Sequence, residues 1–304
     1  MTPLSRTRAL MGELRERLLL AAPIPPPAPP ARVPEPPVRV FPRPHRRTRL
    51  ADEAALVTTA LVGIGRVGTR YATNVVLQFQ AELAVAHAAV AAELPPGWAE
   101  AQGLLSLRSR VADHREFLLR PDLGRRLAPE SLELLRAHAI RDVDVQPILA
   151  DGLSASACMR GGPALLASLT AACRARGMTV GVPLCAQFAR VWLEDEIGQE
   201  VRARVAVILL GERPGLGTGD GLSAYMVHGP AIGRTDGDRN MISNIHARGV
   251  APDDAADRLA RLAEAMIAQG RSGVDLDLAA LANTGVSATA LRAPSPRLPL
   301  VEVP

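Results

Sequence analysis

The sequence predicts an α/β protein in which a helical N-terminal part precedes a mostly parallel sheet covered by helices on both faces. Residues 205–210, VAVILL, form a continuous apolar run that is typical of a strand buried on both faces. From about residue 142, strand-like and helical segments alternate, which favours parallel strands joined by helices. Apolar residues make up 48% of the 304 residues and aromatic residues only 3%. A large core is therefore expected, built mainly from Ala, Leu and Val.

Residues 1–50 are predicted to hold an amphipathic helix followed by a Pro-rich disordered linker. Apolar side chains recur every three or four residues within 4–21, with Arg and Glu between them. Residues 22–49 are dominated by Pro, which favours extended polyproline II geometry and cannot pack a core. A short helix on a semi-rigid tether has the form of a targeting signal or a docking peptide. An accidental pattern in a disordered tail explains the same residues, and both interpretations stay open.

A formal GxGxxG motif lies at Gly63–Gly68, where a nicotinamide cofactor is one hypothesis. A dinucleotide site also needs a second strand about 20 residues later that ends in an acidic residue. Here a helix is predicted to run from about Thr73 to the Pro95-Pro96 stop, which places Glu82 inside that helix. The glycines are therefore interpreted as a compact turn ahead of the helix.

Residues 51–140 as a whole are predicted to form the helical N-terminal part. The polar segment 99–140 is expected to contain further helices, broken at 120–126 and again near Pro129.

Residues 141–291 are predicted to form the α/β domain, and 292–304 a Pro-containing tail. Helices are expected from about Pro163 to Arg176 and over 253–269, where Pro252 suits the first turn and Gly270 the stop. The strand-like segments are 143–150, 180–184, 205–210 and 224–227.

Two carboxylates, Asp151 and Glu212, follow comparable strands of this predicted sheet. Ligands of open α/β sheets sit beyond the carboxyl ends of strands, so Glu212 and Arg213 are candidate ligand contacts. An ordinary polar turn at a strand end explains the same two residues, and both interpretations stay open. Arg239 and Asn244 lie among apolar residues in a later segment. They are expected either to bind a polar ligand or partner, or to satisfy the backbone of their own loop.

A self-contained active site is not visible in the sequence. We find no nucleophile elbow, phosphate-binding loop or metal-ligand spacing, so no catalytic or metal-binding residue is assigned. The 3 cysteines form no CxxC pair, which is typical of a reducing compartment. Interspersed charges argue against nucleic-acid binding, and no apolar run reaches the roughly 18 residues of a membrane span.

Several motifs, taken in their order along residues 55–275, resemble the small (light) subunit of ethanolamine ammonia-lyase. The matching segments are GIGRVGT at 63–69, Phe79-Gln80, RPDLGRRL at 120–127, ADGLSA at 150–155, RVWLEDEIG at 190–198, GERPGL at 211–216 and TDGDRNMISNIHARG at 235–249.

This resemblance implies an adenosylcobalamin-dependent lyase that converts ethanolamine to acetaldehyde and ammonia by a radical rearrangement. It implies a hetero-oligomer in which the large subunit, a TIM barrel, binds the substrate. The small subunit, inactive alone, has a Rossmann-like α/β domain that contacts cobalamin at the subunit interface. The cofactor then carries the difficult step, which agrees with the missing active site.

By the same resemblance, the cobalamin contacts fall on Val191, Glu212 and Met241. The family usually has Cys where this chain has Met241. The implied location is the bacterial cytoplasm, and residues 4–21 have the form of the helix that addresses some members to a bacterial microcompartment. A nicotinamide-dependent oxidoreductase using Gly63–Gly68, or a non-catalytic scaffold that docks through its N-terminal helix, are the alternatives.

Overall fold

A computed structural model describes residues 53–54, 62–63, 66–216, 219–247 and 249–278. The predicted helix at 4–21, the Pro-rich linker and the tail at 292–304 lie outside these residues. The chain divides into two compact units, Met1–Ala72 and Thr73–Pro304.

In the first unit, the described residues around the GxGxxG motif form a tight turn. The backbone N–H of Val67 donates to the carbonyl of Arg70 at 2.7 Å, in an isolated antiparallel bridge. Gly63 and Gly68 both have a positive φ, 67° and 63°, which residues with a Cβ rarely adopt. These contacts agree with the predicted compact turn.

The second unit contains seven helices and six strands within its described residues. The helices are α1 (Thr73–Ala91), α2 (Trp98–Ala101), α3 (His114–Leu119), α4 (Pro129–His138), α5 (Ala155–Ala175), α6 (Leu193–Val201) and α7 (Pro252–Gln269). The strands are β1 (Leu105–Arg108), β2 (Val145–Ala150), β3 (Leu184–Gln187), β4 (Val205–Gly211), β5 (Leu222–His228) and β6 (Arg239–Ile245). Single 3₁₀ turns lie at Leu123–Arg125, Asp236–Asp238 and Gly273–Asp275.

The six strands form one sheet in the order β1-β3-β2-β4-β5-β6. The pairs β1–β3, β3–β2 and β2–β4 are parallel, whereas β5 and β6 extend the sheet with antiparallel pairing. The predicted mostly parallel α/β fold is therefore confirmed. In the register, Ala150 lies opposite both Ala186 and Leu210, so β2, β3 and β4 end at nearly the same level.

Helices cover both faces of the sheet, as the buried strands predict. All seven residues of β4 are buried, and Val207 and Leu209 pack on one face while Ile208 and Leu210 pack on the other. The first face contacts α5 and α7, and the second contacts α4 and α6. Because neighbouring residues of a strand point to opposite faces, a run without polar interruptions is what this double burial requires.

Local signals set the ends of the two helices on the first face. Ser154 caps α5, its Oγ accepting from the N–H of Ala157 at 3.1 Å, so this helix begins eight residues before the predicted start at Pro163. Helix α7 begins at Pro252 and ends at Gly270, which has a φ of 67°, as predicted.

Three predictions about single elements are wrong. The segment 99–140 is not wholly helical, because Leu105–Arg108 forms β1 at one sheet edge. The strand expected at 180–184 lies at Leu184–Gln187 instead, and Val180 makes only an isolated bridge to Val145. The segment with Arg239 and Asn244, for which a loop is one of the two interpretations, forms the strand β6 instead. Both β1 and β6 are edge strands, whose open side tolerates polar residues and hides the apolar pattern.

Among the described helices, none is long and apolar enough to cross a membrane.

Candidate functional site

The loops that follow β2, β3 and β4 meet at one edge of the sheet, here called the carboxyl edge. It comprises residues 151–154, 188–192, 212–216 and 219–221. It contains Asp151, Glu212 and Val191, so three of the sequence-predicted positions lie in neighbouring loops.

Asp151 holds the loop after β3 in place. Its buried carboxylate accepts the backbone N–H groups of Phe188 at 2.7 Å and Ala189 at 3.1 Å. Phe188 has a φ of 54°, an unfavourable value for an aromatic residue, and these bonds help to stabilise that turn. Burial outweighs the backbone bonds and raises the pKa of Asp151 to about 7. Asp151 is therefore a positioning group inside the fold.

A close backbone approach locks the loop after β2 against the end of β4. Gly152 has a φ of 54°, and a Cβ on this residue would lie 2.5 Å from the carbonyl oxygen of Gly211. The same oxygen accepts the N–H of Leu153 at 2.9 Å. The glycine in the ADGLSA motif is thus required by both its φ and its contact.

Glu212 presents one satisfied carboxylate oxygen and one unsatisfied oxygen at the carboxyl edge. Its Oε1 accepts a short hydrogen bond from the hydroxyl of Ser223 and a second from the N–H of Asn244 at 2.9 Å. Its Oε2 has no hydrogen-bond partner within the described ranges and lies 3.1 Å from where a Cβ of residue 221 would be. Gly221 leaves that oxygen accessible. The half-buried Glu212 is therefore a pre-positioned hydrogen-bond acceptor.

Asn244 is a bulge residue of β6. The β5–β6 register shifts between Leu222 and Ala224, and Asn244 has a φ of 60°, which Asn tolerates better than most residues. Because of the bulge, the backbone N–H of Asn244 donates to the carboxylate of Glu212 and not to β5. The Asn244 carbonyl accepts the N–H of Val250 at 2.9 Å. The sequence allows two interpretations of this segment, binding of a ligand or partner and hydrogen bonding to its own backbone. The second interpretation accounts for Asn244.

Arg239 belongs to a buried ion cluster with two residues of α6, the helix on the second face of the sheet. Its guanidinium donates to Glu194 Oε1 at 2.6 Å and to both oxygens of Asp195, at 3.0 and 2.6 Å. The side chains of all three residues are at most 3% exposed. Burial raises the pKa of Glu194 to about 8, with Arg239 opposing the shift and Asp195 adding to it, and burial also raises the pKa of Asp195. The guanidinium of Arg239 is therefore bound to carboxylates inside the fold. This pairing could not be predicted from a local pattern, because Arg239 lies 44 and 45 residues from its two partners.

Met241 and Val191 provide apolar surface on the α6 side of the sheet. Met241 is 50% exposed and lies opposite Tyr225 of β5, which packs against the hydrophobic core on the second face of the sheet. Val191 is half-buried in the turn before α6 and packs against the same core. Ser223, which donates to Glu212, lies opposite Leu210 of that core, so Glu212 is held on the same face. Burial first, and then the charge of Glu212, raise the pKa of Tyr225. Val191, Glu212 and Met241, the three predicted cobalamin contacts, therefore lie on the α6 side of the sheet.

No group of three or more His, Cys, Asp and Glu side chains could hold a metal ion within the residues that the structure describes. The three cysteines are buried and carry free thiols.

One family model matches residues 50–277, three quarters of the chain, and that family is described as the ethanolamine ammonia-lyase light chain. The match covers every element of the sheet and all loops of the carboxyl edge.

Proposed function

Because this chain belongs to the ethanolamine ammonia-lyase light chain family, we propose that it is the small subunit of an adenosylcobalamin-dependent ethanolamine ammonia-lyase. Family membership makes it an ammonia-lyase subunit and implies a large subunit as its partner. In our proposal the carboxyl edge contacts the cofactor at the interface between the two subunits. The large subunit, a TIM barrel, binds ethanolamine.

The observation that carries the proposal is the free oxygen of Glu212. The corrin ring bears several amide arms, whose N–H groups need acceptors, and an ionised carboxylate is a strong one. Ser223 and Asn244 hold Oε1, so Oε2 is the acceptor left for a ligand. The donor and acceptor chemistry of this edge therefore fits the cofactor.

Val191 and Met241 then supply the apolar part of the contact. Both lie on the α6 side of the sheet, where Met241 is half exposed. Met replaces the usual Cys at this position, and its flexible thioether can fill an irregular surface. A contact through the Met241 backbone would be unaffected by the replacement.

The chain binds and orients the cofactor and contributes no catalytic side chain in this proposal. Adenosylcobalamin supplies the radical that starts the rearrangement to acetaldehyde and ammonia. The buried carboxylates Asp151, Glu194 and Asp195 are bound to partners within the fold. The chain alone is therefore expected to be inactive.

Reconstitution tests the proposal. The purified chain, its large subunit, adenosylcobalamin and ethanolamine are mixed, and acetaldehyde is measured. The mixture should form acetaldehyde, while each protein alone should not. Turnover by this chain unaided, or none from the complete mixture, would contradict the proposal. NADH binding that is lost in Gly65→Val would instead favour the oxidoreductase alternative.

Residues 1–50 are proposed to address the enzyme to a bacterial microcompartment. Deletion of residues 1–49 should leave acetaldehyde formation in vitro unchanged and remove the enzyme from compartments in cells. Loss of activity in vitro would contradict a targeting role and favour a scaffold that docks through this segment.

A further inference from the structure

Three arginines at or beside the carboxyl edge have no carboxylate partner in the described part of the chain. They are Arg125, Arg190 and Arg213. The neighbouring Arg126, in contrast, pairs with Glu196 at 3.0 Å. Each of the three unpaired arginines comes from a different motif, and the fold brings those motifs together.

Arg190 is fixed in position but keeps donor capacity. Its guanidinium lies 4.1 Å from the centre of the Phe117 ring and donates one hydrogen bond to the Phe117 carbonyl at 2.7 Å. Its Nε is buried and has no hydrogen-bond partner among the described residues. One of the five guanidinium N–H groups of Arg190 is thus used within the fold, and its outer nitrogen Nη1 makes no hydrogen bond among the described residues, so it can donate to a ligand.

Arg125 is held beside Arg190 by a backbone contact. The N–H of Arg190 donates to the carbonyl of Gly124 at 2.8 Å, and a Cβ on Gly124 would lie 2.7 Å from Cγ of Arg190. The Arg125 guanidinium lies 4.2 Å from the centre of the Trp192 ring. The ring orients this cation without neutralising it.

Arg213 completes the cluster from the turn after β4. It is exposed, and it follows Glu212 directly. The loop after β2 contacts the turns of both Arg190 and Arg213, since Asp151 accepts from Phe188 and Ala189 and the N–H of Leu153 donates to the carbonyl of Gly211. In agreement, burial and then the charges of Arg125 and Arg213 lower the pKa of Arg190. Asp151, the carboxylate that opposes this effect, already accepts two backbone N–H groups. None of the three guanidinium groups forms an ion pair among the described residues. The nearest carboxylates are otherwise engaged or point elsewhere, since Glu212 Oε1 accepts from Ser223 and Asn244 and Asp236 accepts from the indole of Trp192.

We propose that Arg125, Arg190 and Arg213 bind the phosphodiester in the nucleotide loop of cobalamin. This inference rests on the proposed function, and it identifies which part of the cofactor meets which part of this chain. The phosphodiester is an anionic group on a ligand otherwise rich in amides, and guanidinium forks match its oxygens. Arg190 directly precedes Val191 and Arg213 directly follows Glu212, so the cations flank the proposed corrin contacts.

Binding of two cofactor forms to the assembled complex tests the assignment. Adenosylcobalamin carries the nucleotide loop, whereas adenosylcobinamide lacks the loop and its phosphate. We expect Arg213→Gln and Arg125→Gln to weaken adenosylcobalamin binding by about 10-fold to 100-fold. Adenosylcobinamide affinity should change less than about 2-fold, because the phosphate is the partner that is lost. The control Arg174→Gln removes an exposed, unpaired arginine of α5 and should change neither affinity.

A charge-reversed variant gives a readout that needs no cobinamide binding. Arg213→Glu should weaken adenosylcobalamin binding more than Arg213→Gln does, since it repels the phosphate. Equal losses for both cofactor forms, equal losses for Gln and Glu, or no loss at all would overturn the assignment. Weaker association of the subunits with unchanged cofactor affinities would show that these arginines bind carboxylates of the large subunit. Failure of the unmodified complex to bind adenosylcobalamin would instead contradict the proposed function itself.

Discussion

The buried carboxyl of Glu194 should make the stability of this chain fall as the pH rises. Its side chain is 0% exposed, its Oε1 accepts from Arg239 at 2.6 Å, and its Oε2 has no hydrogen-bond partner among the described residues. Asp195 already balances the charge of Arg239. Ionised Glu194 is thus an excess buried charge, and Glu194→Gln removes that charge while keeping the shape and an acceptor oxygen.

The magnitude follows from the pKa. Burial raises the pKa of Glu194 from an ordinary 4.5 to about 8. A carboxyl with a raised pKa in the folded state contributes fully below its unfolded pKa, and that contribution is lost as the pH rises through the folded value. Each pH unit between the two values changes the free energy of unfolding by about 1.4 kcal/mol. The unmodified chain should therefore lose up to about 5 kcal/mol between pH 4.5 and 8 that Glu194→Gln keeps.

Urea unfolding at pH 5, 6, 7 and 8, followed by circular dichroism, measures this difference. The matched control is Glu200→Gln on the same helix. Hydrogen bonding to Arg136 lowers the pKa of Glu200, so its contribution is lost only below the ordinary 4.5, outside this range. The control should keep the slope of the unmodified chain. Parallel pH profiles for Glu194→Gln and the unmodified chain would refute the reasoning.

Three further substitutions, and one control substitution, have defined outcomes. Gly152→Ala should lower the free energy of unfolding by more than about 2 kcal/mol, because a clash with the Gly211 carbonyl adds to left-handed strain of about 1–2 kcal/mol. Gly177→Ala, at a φ of 76° with no atom within 4 Å, should cost only that strain, and equal costs in urea unfolding would contradict the clash. Ser154→Ala removes the cap of α5 and should cost about 1 kcal/mol by thermal unfolding, whereas an unchanged midpoint would show that the cap is not needed. Glu212→Ala should weaken adenosylcobalamin binding by the assembled complex at least about 10-fold, and an unchanged affinity would remove Glu212 from the site.

The central strands could be predicted because their residues leave few alternatives. An uninterrupted run such as 205–210 suits burial on both faces, and the N-terminal and C-terminal signals of α7 are local in the chain. The edge strands β1 and β6 were not found, because one side of each lacks a neighbouring strand and tolerates polar residues. Local pattern therefore predicts the interior of the sheet better than its borders.

Only part of the candidate site could be predicted from the sequence. Glu212 could be placed at a strand end because it follows a strong apolar run and lies in a turn that contains Gly211, Pro214 and Gly215. Its hydrogen bonds to Ser223 and Asn244 depend on the antiparallel return of β5 and β6, which single residues do not encode. Arg239 looked like a ligand contact, although it is bound to Glu194 and Asp195 in the core. Contacts between distant segments decide which polar groups are free.

Cofactor binding by the separate and combined subunits tests the central claim most directly. Adenosylcobalamin is titrated into this chain, into the large subunit and into an equimolar mixture, and bound cofactor is measured by equilibrium dialysis. A site shared between two polypeptides predicts tight binding by the mixture and at least about 100-fold weaker binding by either subunit alone. Equally tight binding by the large subunit alone would contradict the claim that the carboxyl edge of this chain forms part of the site.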